Sequence, residues 1–392
     1  MGVAMSKKIL IYGSYGTGNY GDEIILDALL QNLATDYEIG VLVPGNVNEI
    51  PKQSNVEIIP LWNVHTIKTD LERLIIFLKS IRVIDHNIKK YDILLIGGGN
   101  MIMDLFPRNP YIIFMLSCIS KIHRKRICFL GCGAGPISRN ISKALFKISL
   151  SMADFITLRD NVSCKFVRQL CPSNENVFGC SDLIFSHELF NNVDQINHKI
   201  ECIAVNVLAY NMPNSYPNAN EQKYNDYCLF VVDVINYLIR CDDIKKILLF
   251  TTSHPDDDYA LNNIKDRLDP QGNKKLNVFD ESVSFIELSR ILENYDLIIA
   301  SRLHSLLLSI CLNKMTIPLI YQEKGENFVS ENDLDSVSID IREISPKSIC
   351  RFKLIFRKIM NDPVLYSIQI SRIKTNCIIK SKENFEHIRE YY

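Results

Sequence analysis

The chain has 392 residues, of which 47% are apolar and 23% charged. That is the composition of a globular protein and excludes a disordered chain, a collagen and a coiled coil. Its 44 basic and 45 acidic residues leave a net charge of -1, so no global attraction to nucleic acid exists and any anion site is local.

No apolar run reaches the roughly 18 residues that a membrane-spanning helix needs; the most apolar stretch, Tyr111 to Ile119, is too short. The residues from Ser6 pass through Lys7-Lys8 straight into Ile9-Leu10-Ile11. They lack the long apolar core of a secretory leader, and a cytoplasmic location is expected. The twelve cysteines are scattered, mostly within apolar runs, and form no Cys-x-x-Cys pair. They read as buried thiols of a reducing compartment rather than a disulfide framework or a zinc site, and no metal is expected.

The predicted elements alternate in type. Lys8 to Tyr12 reads as a strand and Asp22 to Ala34 as a helix. Strands follow at Tyr37 to Val43 and Val56 to Ile59, and a helix at Leu71 to Ile84. Next come a buried strand at Tyr91 to Ile96, a helix at Ile112 to Ile122 and a strand at Arg126 to Leu130. A helix at Ser142 to Met152 and a strand at Asp154 to Leu158 complete the block. Ser186 to Lys199 is polar, without a period, and reads as a linker. A second block opens at Glu201 to Val207, with a helix at Tyr224 to Arg240 and strands at Lys246 to Thr251, Leu276 to Phe279, Asp296 to Ala300 and Thr316 to Ile320. Asn206 to Asn220, rich in Asn and Pro, reads as a loop. After Pro346 the pattern is helical and basic.

Strand and helix in alternation imply parallel sheets with helical crossovers. The expectation is an α/β protein with two Rossmann-like domains, 1–185 and 200–345, whose parallel sheets face a cleft, followed by C-terminal helices over 346–392. Ligands in such sheets bind at the carboxyl ends of strands.

Three of those ends carry glycine clusters. Gly16-Thr17-Gly18-Asn19-Tyr20-Gly21 fits the dinucleotide pattern, but its helix opens on Asp22-Glu23, where a pyrophosphate would need positive potential. The second strand also ends without an acid for a ribose hydroxyl. Carboxylates suit a polyhydroxy ligand, because ionised oxygens accept strong hydrogen bonds from hydroxyls; the bland reading is a turn with an acidic N-cap. Gly97-Gly98-Gly99-Asn100, with Asp104 behind it, and Gly131-Cys132-Gly133-Ala134-Gly135-Pro136 are the other two. In the second block, Ser301-Arg302-Leu303-His304-Ser305 lies at a strand end and a helix start, a favourable place for an anion. Arg159-Asp160 follows a strand of the first block. His254-Pro255-Asp256-Asp257-Asp258 reads as a solvated helix start rather than a metal site.

The ordered set of Gly13, Gly16, Gly18, Asn19, Gly21, Asp22 and Glu23, then Gly97 to Gly99 with Asp104, then Gly131, Gly133, Gly135 and Pro136, and finally Ser301 to Ser305 resembles the polysaccharide pyruvyl transferase family over about residues 7 to 330. Cys132 and Asn100 depart from its usual pattern. The resemblance implies a GT-B-like pair of domains and transfer of a pyruvyl group from phosphoenolpyruvate to a sugar, giving a ketal in exopolysaccharide, capsule or cell-wall polysaccharide synthesis. It implies that Arg159, Arg302, Leu303, His304 and Lys324 bind the donor, and it lets Asp182 recur as a structural acid.

On that reading Gly16, Gly18, Asn19, Gly21, Asp22, Glu23, Gly98, Gly99, Asn100, Asp104 and Gly133 form the acceptor side. His304 is a candidate general acid, Arg302 and Arg159 stabilise the departing phosphate, and Asp22 is a candidate base. No cofactor is expected beyond phosphoenolpyruvate as co-substrate. The acceptor is a saccharide; a lipid-linked one would bring the protein to the inner membrane face, where the basic run Lys374 to Lys382 is a candidate contact and a solvated helix face the bland alternative. The rivals are a GT-B glycosyltransferase using a nucleotide sugar and a non-catalytic binding protein.

Overall fold

The computed structural model describes residues 7–47, 50, 56–61, 70–191, 199–212, 219–268, 274–279 and 283–392. Parts of the linker (192–198) and of the Asn-rich loop (213–218) lie outside the described residues. The chain forms two compact units, one of residues 1–188 with 377–392 and one of residues 189–376.

The first unit is a seven-stranded sheet. Its strands are β1 (Lys8–Tyr12), β2 (Glu38–Val43), β3 (Val56–Pro60), β4 (Ile93–Gly97), β5 (Arg126–Cys132), β6 (Phe155–Leu158) and β7 (Val177–Gly179), in the order β3-β2-β1-β4-β5-β6-β7. Every pairing is parallel, with Ile9 opposite both Ile39 and Ile93. The crossovers are α1 (Tyr20–Leu33), α2 (Asp70–Lys90), α3 (Asn109–Ile122), α4 (Asn140–Ser151) and α5 (Asn161–Leu170). Central strands such as β4 are buried along their whole length, which is why they read as continuous Ile and Leu runs rather than alternating ones. Side chains alternate between the two faces: Leu10, Leu94 and Phe129 serve one core, Ile11, Leu95 and Cys128 the other.

The second unit holds β8 (Cys202–Asn206), β9 (Lys246–Phe250), β10 (Leu276–Val278), β11 (Leu297–Ala300), β12 (Met315–Ile320) and β13 (Ile339–Asp340), all parallel, in the order β10-β9-β8-β11-β12-β13. Its helices are α6 (Glu221–Ile239), α7 (Asp256–Lys265), α8 (Phe285–Leu292), α9 (Leu303–Cys311), α10 (Glu323–Glu331), α11 (Pro346–Asn361) and the first part of α12 (Pro363–Tyr391), whose residues from 377 on belong to the first unit. The two doubly wound sheets agree with the sequence-based expectation. The short elements α5, β7, α8, α10 and β13 are additions to it.

The C-terminal run divides by side. Lys374, Cys377 and Ser381 are buried, whereas Lys380 and Lys382 are exposed, so the run keeps a solvated face opposite a docked one. Ser381 Oγ donates to the Asp182 carbonyl at 2.9 Å, and Asn384 accepts from Thr157 Oγ1 at 2.5 Å while donating to the Ser181 carbonyl at 3.1 Å. The end of α12 is thereby docked on the first unit's own loops.

Two glycines of the β4 turn are required by conformation. Gly98 and Gly99 have φ of +69° and +65°, where only glycine is unstrained. A Cβ on Gly98 would also stand 2.0 Å from Cγ2 of Ile25 in α1. Gly98→Ala is therefore expected to cost strain and overpacking, each worth about 1–3 kcal/mol. A lower urea midpoint with an unchanged slope would show it; a midpoint equal to wild type would contradict it.

Candidate active site

The first unit brings its glycine turns together through backbone. The β1 turn packs on the loop after β2: Asn46 N–H donates to the Gly16 carbonyl at 2.7 Å, and a Cβ on Gly45 would overlap that carbonyl oxygen. Gly16 and Gly18 both have φ of +71°. Tyr15 is buried and donates its hydroxyl to the Gly97 carbonyl at 2.7 Å, tying the β1 turn to the β4 turn. Gly133 N–H then donates to the Gly99 carbonyl at 2.8 Å, tying the β4 turn to the β5 turn.

The helix α1 starts two residues earlier than its sequence pattern suggests. Asn19, not an acid, is the N-cap; its side chain accepts from Gly21 N–H at 3.1 Å and donates to Asp22 at 2.9 Å. Asp22 thus sits within the first turn, aimed at the β4 turn, where a Cβ on Gly99 would lie 2.8 Å from its Oδ1. Asn100 and Arg159 both crowd Gly133, at 2.7 and 2.8 Å from an added Cβ. Asp22, Gly99, Asn100, Gly133 and Arg159 therefore line one edge of this sheet, as the sequence order suggests. Glu23 follows in the same half-buried first turn.

Arg159 is buried and donates through Nη1 to Asp182 at 3.2 Å; Asp160, 3.8 Å from its Nε, caps α5 by accepting from Ser163 N–H at 2.6 Å. Burial pushes the Asp182 carboxyl up, and the Arg159 guanidinium opposes that shift.

Asp104 is placed differently from the ligand-facing role expected of it. It is buried, and its carboxylate accepts from Ser138 N–H at 3.0 Å and Arg139 N–H at 2.8 Å, stapling the β4 turn to the start of α4. Burial alone would raise this carboxyl, but those backbone donors outweigh it and hold it below the ordinary carboxylate range. A depressed folded-state pKa gives stability above the unfolded-state value that is lost as pH falls through the folded one. Asp104→Asn is thus expected to cost about 1–3 kcal/mol near neutrality. Denaturation of the two proteins should converge as pH drops below the ordinary carboxylate range; a pH-independent gap would contradict this.

In the second unit, Arg302 is the N-cap of α9. Its backbone N–H donates to Asn206 Oδ1 at 2.9 Å, and Ser305 Oγ donates to the same oxygen at 2.8 Å. Asn206 is the last, fully buried residue of β8 rather than a loop residue. The Ser301 hydroxyl donates to the Asn206 carbonyl at 2.7 Å. The arginine's side chain, a quarter exposed, forks onto Asp257: Nε to Oδ2 at 2.8 Å and Nη2 to Oδ1 at 2.6 Å.

Asp257 is fully buried and also accepts from Ala209 N–H at 2.9 Å. This corrects the solvated-helix-start reading at Asp257 and Asp258, which both have partners: Asp258 binds Thr251 Oγ1 at 2.9 Å and His254 Nδ1 at 2.8 Å. The pairing of Arg302 with Asp257 spans 45 residues and leaves no local pattern to read. Asp257 and Asn206 are the site residues that sequence reasoning missed.

Arg302, Leu303 and Lys324 line one hollow, with Ser301, Tyr321 and Gly325. Arg302 caps α9 and Lys324 lies in the first turn of α10, helix starts that favour an anion, with Glu323 and Glu326 in the same turn as the lysine. His304 lies in the first turn of α9, half-buried, outside that lining. Among the described residues no cluster of acids, cysteines and histidines is arranged to hold a metal, and no helix is long and apolar enough to cross a membrane.

Comparison with known proteins places these features. Over 383 residues, 87% of this chain and 90% of the relative, the sequence is 21% identical to the amylovoran biosynthesis protein AmsJ of Erwinia amylovora. Solved structures similar in fold include S. aureus MnaA with UDP (12% identity, TM-score 0.62, 98% of this chain and 96% of that one). Anabaena Alr3699/HepE with UDP and glucose is another (11%, 0.57, 98% of each chain). The UDP-GlcNAc 2-epimerase of Neisseria meningitidis is a third (10%, 0.58, 98% and 100%). These likenesses establish a GT-B-like fold of two parallel-sheet α/β units. The model of the family described as polysaccharide pyruvyl transferase matches residues 19–323. That span runs from the Asn19 cap to the first residue of α10, takes in Asp22, Arg159, Asp257, Arg302 and His304, and stops one residue before Lys324; the chain belongs to the polysaccharide pyruvyl transferase family.

Proposed function

We propose that this chain transfers the pyruvyl group of phosphoenolpyruvate to two hydroxyls of a saccharide, forming a ketal, in the synthesis of an exopolysaccharide, capsule or cell-wall polysaccharide. The observation that carries the reading is the Arg302 fork, clamped by a fully buried Asp257 at the start of α9 beside Lys324. Asp257 holds the Nε–Nη2 edge and fixes the guanidinium plane, so its other edge is presented in the planar geometry that matches carboxylate and phosphate, and phosphoenolpyruvate carries both groups.

The chemistry needs no redox carrier, and no cofactor is assigned. A proton adds to the donor's methylene carbon, the two sugar hydroxyls bond to its neighbour, and inorganic phosphate departs with its C–O bond. Of the two hydroxyl protons, one makes up for the proton placed on the methylene carbon and the other leaves on the phosphate, so atoms and charge balance. His304 delivers the proton, Arg302, Leu303 and Lys324 hold the donor, and Arg159 contributes a second guanidinium to its anionic groups. Asp22, facing the β4 turn with Asn19, Glu23, Asn100 and the glycines, accepts a proton from an attacking hydroxyl. The protein works in the cytoplasm on a saccharide acceptor carried on a lipid.

Phosphate release from phosphoenolpyruvate, measured across a panel of glycosides, tests this: release is expected only with a diol acceptor present. Absence of release throughout, with a melting temperature raised by UDP and not by phosphoenolpyruvate, would favour a nucleotide-sugar transferase instead.

A further inference from the structure

Between Asp104 and Asp154 the chain has 49 residues with eight lysines and arginines and no aspartate or glutamate, in a protein of net charge -1. This segment builds the β4 turn's far end, α3, β5 and α4. Apolar side chains stand exposed on the same elements: Leu105 (61%), Phe106 (67%), Tyr111 and Ile141. The helix α4 buries Ser142, Phe146, Ser149 and Leu150 on its inner side. It nevertheless carries Ile141 and Ile148 on its outer side, alternating with exposed Lys143 and Lys147. A helix apolar on both sides has a second face to cover.

The feature is one surface held in a fixed shape. The Asp104 carboxylate ties the residue before Leu105 to the Ser138 and Arg139 N–H groups just before Ile141. Asn109 Nδ2 donates to the Met101 carbonyl at 2.6 Å and closes the turn that displays Leu105-Phe106-Pro107-Arg108. Arg108, Arg139 and Lys143 surround the apolar tip, all exposed.

We infer that this face of the first unit docks on an anionic lipid bilayer, with Leu105, Phe106 and Ile141 entering the headgroup layer and the surrounding cations meeting lipid phosphates. Apolar tips ringed by Lys and Arg are what such a surface binds. A second copy would set the exposed Arg108, Lys143 and Lys147 of this face against themselves, cation against cation. Nucleic acid would give the exposed Leu and Ile side chains nothing to cover them. The site is five residues from Asn100, so a docked face holds the glycine turns at the depth of a lipid-borne saccharide headgroup. The inference goes beyond the proposed pyruvyl transfer and does not depend on the donor.

The full chain should co-sediment with phosphatidylcholine vesicles containing phosphatidylglycerol and not with pure phosphatidylcholine, and should release at about 1 M salt, where screening shortens to about 3 Å. Phe106→Ser with Leu105→Ser, and separately Lys143→Glu with Lys147→Glu, should each lower the partition at least about tenfold. Melting and phosphate release with a water-soluble acceptor should stay at wild-type level, which keeps a failure of docking distinct from a failure of the activity. Equal partition onto both lipids, no sedimentation at all, partition unchanged in both variants, or a dimer that Phe106→Ser splits would overturn the inference.

Discussion

Replacing Arg302 is expected to remove donor binding and to unsettle the second unit, and the two effects can be separated. In Arg302→Lys the charge stays, but one ammonium replaces two parallel bonds of 2.6 and 2.8 Å to Asp257. Lysine cannot reproduce a planar fork, so affinity for phosphoenolpyruvate should fall at least about tenfold, with a modest stability loss of about 1–3 kcal/mol. Arg302→Met is harsher, because Asp257 is fully buried. An uncompensated buried carboxylate costs about 3–5 kcal/mol. Adding Asp257→Leu should recover part of that stability, since a buried pair replaced by apolar groups is often neutral, while the Ala209 N–H loses its acceptor. It should recover no turnover. Calorimetry and urea denaturation of the four proteins in a double-mutant cycle check both parts; turnover that returns along with stability would leave the arginine a purely structural role.

His304→Ala should leave the fold intact and lower kcat by about 10²–10⁴, the usual worth of a positioned acid. His304 is the second residue of α9, two after its Arg302 cap, and only half-buried, so its removal opens no large cavity. His304→Gln should fail equally, because an amide keeps hydrogen bonding without carrying a proton. A wild-type kcat with a raised KM in either variant would turn the histidine into a binding group and leave proton delivery to another residue. Rapid-quench measurement of phosphate release makes that distinction.

The parts of this architecture legible in the sequence are those set by local pattern. Continuous apolar runs such as Ile93 to Ile96 mark strands buried on both faces. Glycine clusters directly after such runs mark their carboxyl ends, and Asp22, Asn100, Gly133 and Arg159 do share one edge of the first sheet. A readable signal went unused at α8, where Ser284 and Glu287 form a capping box. What stayed hidden is pairing over long sequence separation. Asp257 looks like a surface acid among three and is a buried clamp on Arg302. Asn206 looks like the start of a polar loop and is the strand end that holds α9 in place. Lys374 sits in a basic run and is buried nonetheless. In each instance the environment comes from a neighbouring element rather than from adjacent residues.

The central claim is that an anionic three-carbon donor is bound by Arg302 through the guanidinium edge that Asp257 does not hold. Calorimetric titration of phosphoenolpyruvate into the wild-type protein and into the Arg302→Met/Asp257→Leu double variant tests it most directly. Saturable binding to the first and none to the folded second is the expected outcome. Equal binding to both, or heat only from UDP, would contradict it.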